Sequence, residues 1–260
     1  MLKRNPLLIF FPLAFILSWY PWVISLVRNA GDGGPNPLGV FLAAIIVTAV
    51  TQGRSGLKDL FSRIVRWRIG FHWYAFVLIL PAVLCVLAAL LVTQFAGAVA
   101  DFTKLPAWQD GIERFIFILL FIGLGEEPGW RGYALERLQE KYSTVKSSLF
   151  LGAVWTLWHL PLMRNEFAPS IIPAFVVSVF AATFVLTWLY NSTGRSILIA
   201  MLFHASVNTI GAGTIFQLFN GVDTTKFWYV YTALWTVVAA ILTLSPSHLN
   251  RPKWVAARTL

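Results

Sequence analysis

Residues Phe115 to Leu124 (FIFILLFIGL) form an apolar run that ends in Gly125-Glu126-Glu127-Pro128-Gly129-Trp130-Arg131. Two adjacent carboxylates, a helix breaker and an arginine thus follow directly on a membrane-like stretch. Placing a charge at bilayer depth costs several kcal/mol or more, so ionisable residues there mark a candidate functional site. Two later apolar segments carry similar intrusions, His159 in one and His204 with Asn208 in the other.

The composition agrees with this reading. The 260 residues are 58% hydrophobic and 12% charged, against about 25% charged in soluble domains. We expect an all-α polytopic membrane bundle of about eight transmembrane helices, forming one integral domain over 1–260. The expected spans are 6–27, 37–52, 73–94, 112–127, 147–163, 169–190, 195–212 and 226–244. The first is too long for a signal-peptide core and reads as an uncleaved span. Cys85, the single cysteine, excludes an internal disulfide.

The net charge of +9 sits in short loops rather than in a basic stripe, which argues against a nucleic-acid partner. With both termini cytoplasmic, all 20 Lys and Arg except Arg28, Lys104, Arg114, Arg164 and Lys226 fall on the inside. The expected location is the plasma (inner) membrane. Segment 54–70 alternates Arg54, Lys58, Arg63, Arg66 and Arg68 with apolar residues. It reads as a topology-setting loop, or as an amphipathic helix on an anionic leaflet. Trp19, Trp22, Trp67, Trp73 and Trp228 fit an interfacial belt, whereas Trp155 and Trp158 flank His159 as cavity walls. His72 and His248 read as interfacial.

Depth links the three intrusions. At 1.5 Å per residue, Glu126 lies roughly 18 Å from the outer surface, while His204 lies roughly 14 Å and His159 roughly 20 Å from the inner one. That places all of them in the middle or inner part of a ~30 Å core and argues for one buried cavity. Pro128 should kink the fourth span and push Glu127 out of helical geometry. Glu127 and Arg131 are four apart and can pair, which leaves Glu126 free for chemistry. His204 and Asn208 share a face. A carboxylate facing an imidazole can deprotonate a water, and an imidazole with an amide can donate to an oxyanion.

At these residues the chain resembles the CAAX-protease and bacteriocin-processing membrane proteins (CPBP, abortive-infection or Rce-type). Glu126-Glu127-x-x-x-Arg131 is similar to the first family motif, His159 to the histidine of the second, and His204-x-x-x-Asn208 to the third. The likeness covers about 115–210. The second motif usually opens with Phe, where this chain has Trp155.

The resemblance implies an eight-helix intramembrane endopeptidase. In it Glu126 is general base, His159 its partner, Glu127 and Arg131 supports, and His204 with Asn208 the oxyanion hole. The implied partners are membrane lipids and a peptide or protein substrate, lipidated in the eukaryotic precedent, entering from the cytoplasmic side. No cofactor is expected; zinc held by Glu126, His159 and His204 is the alternative. Two competing readings are a non-catalytic membrane protein of immunity or maturation type, using the same cavity for binding, and a proton-coupled transporter. The transporter lacks the matched broken helices of repeat-built carriers.

Overall fold

The computed structural model describes residues 5–29 and 34–244. The expectations for Lys3, Arg4, His248, Arg251, Lys253, Arg258 and both termini lie outside those residues. The described chain is helical throughout, without strands. Helices α1 (Leu7–Arg28), α2 (Leu38–Ile64) and α3 (Phe71–Phe95) come first. A continuous rod, α4 (108–141), follows. Then come α5 (Thr144–Trp158), α6 (Leu160–Glu166), α7 (Ile172–Ser192), α8 (Ile197–Ile210, extended by a wide π turn and a tighter 3-10 turn to Leu218) and α9 (Val222–Thr243).

Six of these are long and apolar enough to cross a membrane: α1, α2, α3, α7, α8 with its extension, and α9. The rod α4 and the broken pair α5–α6 occupy the positions of the fourth and fifth expected spans. The chain is an integral membrane helix bundle of about eight crossings.

Three boundaries and one set of side-chain placements differ from expectation. The fourth span does not end at Pro128. Residues Leu124–Gly129 stay α-helical, Glu127 included, and the helix runs on to Lys141. Wide π turns at Ile118–Gly123 and Trp130–Leu135 bracket the proline. Such turns absorb the mismatch that a prolyl ring imposes on an α-helix, and they often occur at functional sites.

The second difference is in the expected fifth span, which breaks at His159 (φ −78°, ψ 3°). Leu160–Glu166 then restarts with a proline in its first turn, where a missing amide hydrogen costs nothing. Third, segment 54–64 is a helical continuation of α2 across a break at Gly53 (φ 64°, ψ −154°), a conformation essentially restricted to glycine. Its arginines do not all face outward, since Arg63 is only 3% exposed. Fourth, Trp19 and Trp228 turn inward rather than joining a belt. Trp19 donates to the Trp158 carbonyl at 3.0 Å and Trp228 is buried, while Trp67 is exposed.

The rod α4 runs through the middle of the bundle, with every residue from Gly125 to Glu136 buried. Gly125 and Gly129, one turn apart, allow this on the α2 side. A Cβ at Gly129 would lie 2.4 Å from Val40 Cγ1, and one at Gly125 would lie 2.8 Å from the Pro37 carbonyl carbon. Small residues let backbones approach where lipid supplies no hydrophobic drive between helices. Helix α8 packs antiparallel along α4, with Gly213 against Arg114 near one end and Gly132 against Ile197 near the other. The two helices that carry the acidic pair and His204 are therefore neighbours.

Candidate active site

The acidic pair projects from α4 in two directions, and each carboxylate has its own partners. Glu127 Oε1 accepts from Arg131 Nη1 at 3.0 Å and from His204 Nδ1 at 2.7 Å. Glu126 Oε2 accepts from the indole N–H groups of Trp130 at 3.2 Å and Trp155 at 2.7 Å. Both intrahelical contacts, Glu126–Trp130 and Glu127–Arg131, are four residues apart, the spacing at which helix side chains meet. Glu126 is thus not free of partners. It does, however, avoid the cation and the imidazole, which both go to Glu127. Glu127 and Arg131 have no exposed surface, and Glu126 has 2%.

Trp155, on α5, joins the parts. Its N–H holds Glu126, and the Arg131 guanidinium carbon lies 4.2 Å from the centre of its ring. Its backbone carbonyl is 2.7 Å from His159 Nδ1, and its ring stands edge-on to His204 at 5.8 Å between centroids. A carbonyl can only accept, so His159 Nδ1 carries the proton, and Nε2 is the atom left for chemistry. The imidazole is further fixed by Trp158 and Phe175, at 5.0 and 5.4 Å between centroids.

The break at the end of α5 explains this placement. His159 ends one helix and precedes the next, so its side chain folds back onto the last turn instead of lying along a straight span.

Of the six residues singled out in the sequence, five join one contact network: Glu126, Glu127, Arg131, His159 and His204. Asn208 lies one turn beyond His204 and is half-buried, as is His159. Among the described residues no hydrogen bond ties Asn208 to the other five. Glu126 is linked to His159 through Trp155, and by ring contacts through Trp130 and Trp158.

Two participants were not singled out as donors, the indole N–H groups of Trp130 and Trp155. Trp130 was legible from its position four residues after Glu126. Trp155 was not, because its bond to Glu126 spans 29 residues.

For the alternative zinc set, His204 Nδ1 and Glu126 Oε2 are engaged within the protein, which leaves His204 Nε2 and Glu126 Oε1 as the atoms that would face an ion. Among the described residues no three His, Cys, Asp or Glu side chains lie close enough to hold one ion.

Comparison with known proteins gives the same class. Residues 108–210 match the family described as type II CAAX prenyl endopeptidase Rce1-like. The chain is 28% identical over 227 residues to CAAX prenyl protease 2 of Methanococcus maripaludis, covering 79% of this chain and 83% of that protein. The apolar helices and these two matches together give a membrane-embedded peptidase. Within that class the chain is similar, over residues 108–210, to the Rce1-like type II CAAX prenyl endopeptidases.

Proposed function

We propose that the chain hydrolyses a peptide bond within the membrane, using water activated by Glu126 and His159. The observation that carries this reading is the division of labour between adjacent carboxylates. Glu127 holds the cation and an imidazole, while Glu126 is held through Oε2 alone by two neutral donors. Oε1 of Glu126 and Nε2 of His159 are then available to a water molecule.

Glu126 takes a proton as the water oxygen attacks the carbonyl carbon, and the carbonyl π pair moves to oxygen. His204, anchored through Nδ1 by Glu127, donates from Nε2 when protonated, and Asn208 adds an amide donor. A preorganised donor of this kind contributes about 3–4 kcal/mol to stabilising the oxyanion. Collapse of the intermediate breaks the C–N bond, and the proton held by Glu126 passes to the leaving amine. Arg131 holds Glu127 in place through their ion pair. No step requires a metal.

The relative's name specifies a prenylated CAAX substrate. We extend that class to this chain, with a lipidated peptide entering from the cytoplasmic side. The charge bias of the loops supports cytoplasmic termini in the plasma membrane, and the continuous helical packing supports one integral domain.

The deciding experiment uses purified full-length protein on a farnesylated CAAX peptide, with and without chelator. Glu126→Gln and His159→Ala should each lose cleavage, and chelator should change nothing. Full cleavage by both variants removes the mechanism. Loss with chelator alone replaces it by a metal-dependent one.

A further inference from the structure

A second buried ionic cluster lies beyond the candidate active site, between the same two helices. Glu136 is nine residues past Glu127 on α4, and Arg195 is nine residues before His204, in the turn that leads into α8. In an antiparallel pair these offsets place Glu136 opposite Arg195 when Glu127 is opposite His204. Both pairs are formed. Arg195 Nε donates to Glu136 Oε1, as His204 Nδ1 does to Glu127 Oε1.

Two further helices hold the cluster. Arg63 Nη1, from the tail of α2, lies 2.9 Å from Glu136 Oε1 and 2.9 Å from the Gly132 carbonyl. The Tyr190 hydroxyl, at the end of α7, donates to Glu136 Oε1 at 2.6 Å. Asp59 Oδ2 accepts from Arg63 Nη2 at 2.9 Å and Arg195 Nη2 at 3.2 Å. Glu136 and Arg63 are buried to 2% and 3% exposure.

Two features set this cluster apart from ordinary packing. Arg195 adopts φ 70°, directly after Gly194 at φ 62°. A non-glycine residue in that region is uncommon, and it persists where the surroundings over-determine it. In addition, a buried ion pair is weak evidence for stability, because desolvation offsets the attraction. Its best-attested use is to specify register.

We propose that Glu136 and Arg195 are positioning residues for the hydrolysis: their ion pair sets the register of α4 against α8 and so brings Glu127 to His204. A slip by one residue would turn His204 about 100° away from the acidic pair. The inference rests on the mechanism above, in which His204 faces the oxyanion, but it concerns residues outside that mechanism.

The test uses Glu136→Gln, Arg195→Met and Arg195→Lys in the purified full-length protein. We measure kcat per folded molecule, KM for the farnesylated peptide, and nitrogen NMR of histidine-labelled protein. With register lost, kcat falls about 100-fold while KM changes little, in line with the effect of about 1 Å of misplacement. The His204 ring signals move as well. Arg195→Lys recovers part of the rate, since an ammonium supplies the charge but not the fork that spans Glu136 and Asp59.

Unchanged kcat and unchanged His204 signals in Glu136→Gln overturn the proposal, even while Glu126→Gln is inactive and the mechanism stands. If Glu126→Gln still cleaves, the mechanism fails instead. The His204 signals in Glu136→Gln then decide the register question alone: moved signals sustain it and unmoved ones end it. Should Arg195→Met fail to fold, Glu136→Gln and Arg195→Lys carry the same comparison.

Discussion

Trp155 donates its indole N–H to Glu126 Oε2 at 2.7 Å, and through its own backbone carbonyl it holds His159 Nδ1 at the same distance. One residue therefore orients both partners of the proposed water. Phe, usual at this position in the family, could supply the backbone contact but not the N–H. Trp155→Phe should fold normally and lose about 1.5–3 kcal/mol of hydrogen bonding to a charged acceptor. We expect kcat to drop by roughly 10- to 100-fold. A cleavage assay alongside a thermal melt checks this, and wild-type rates in the variant would show that Glu126 needs no such donor.

Arg131 pairs with Glu127 where neither side chain has any solvent exposure. Removing one member of such a pair strands a buried charge, at a cost of about 3–5 kcal/mol. Arg131→Leu should therefore unfold at markedly lower temperature, and the double variant Arg131→Leu with Glu127→Leu should recover much of the loss. Melting curves in detergent settle the point. An unaltered midpoint for the single variant would mean that water reaches Glu127.

Gly129 meets Val40 with no room for a side chain, whereas a Cβ at Gly111 on the same rod would meet nothing within 4 Å. Gly129→Ala should destabilise by about 1–3 kcal/mol through overpacking. Gly111→Ala should stabilise slightly, by about 0.5–1 kcal/mol, because alanine is the better helix residue. Comparing the two by denaturation tests whether the glycines of α4 serve close approach. Equal effects would assign both to helix propensity alone.

Gly53 breaks α2 at φ 64° and ψ −154° with nothing within 4 Å of a Cβ. Space is available there but the backbone conformation is not, so Gly53→Ala should cost about 1–3 kcal/mol from strain. The loss should appear in thermal stability, and also in greater protease access to 54–70 as the tail of α2 is released. Neutral behaviour on both measures would show that the break straightens without cost.

Much of this protein is determined by local rules that the chain states directly. Long apolar runs with few charges must become membrane helices, because a backbone in lipid must satisfy its own hydrogen bonds. The four-residue spacings fix the Glu127–Arg131 and Glu126–Trp130 contacts along one helix. The order of the three motifs was likewise sufficient to indicate the family. Pro128 was misleading, since the local rule for proline predicts a kinked end while the surrounding π turns carry the helix to Lys141.

Only the tertiary structure decided which carboxylate meets which imidazole. Glu127 to His204 spans 77 residues, Glu126 to Trp155 spans 29, and Arg195 to Glu136 spans 59. Those pairings depend on the rotation and register of packed helices. Apolar periodicity leaves both undetermined when a helix is apolar on every side. In such a bundle the direction of each polar side chain is set by close glycine contacts and buried ion pairs, which form only once the helices have met.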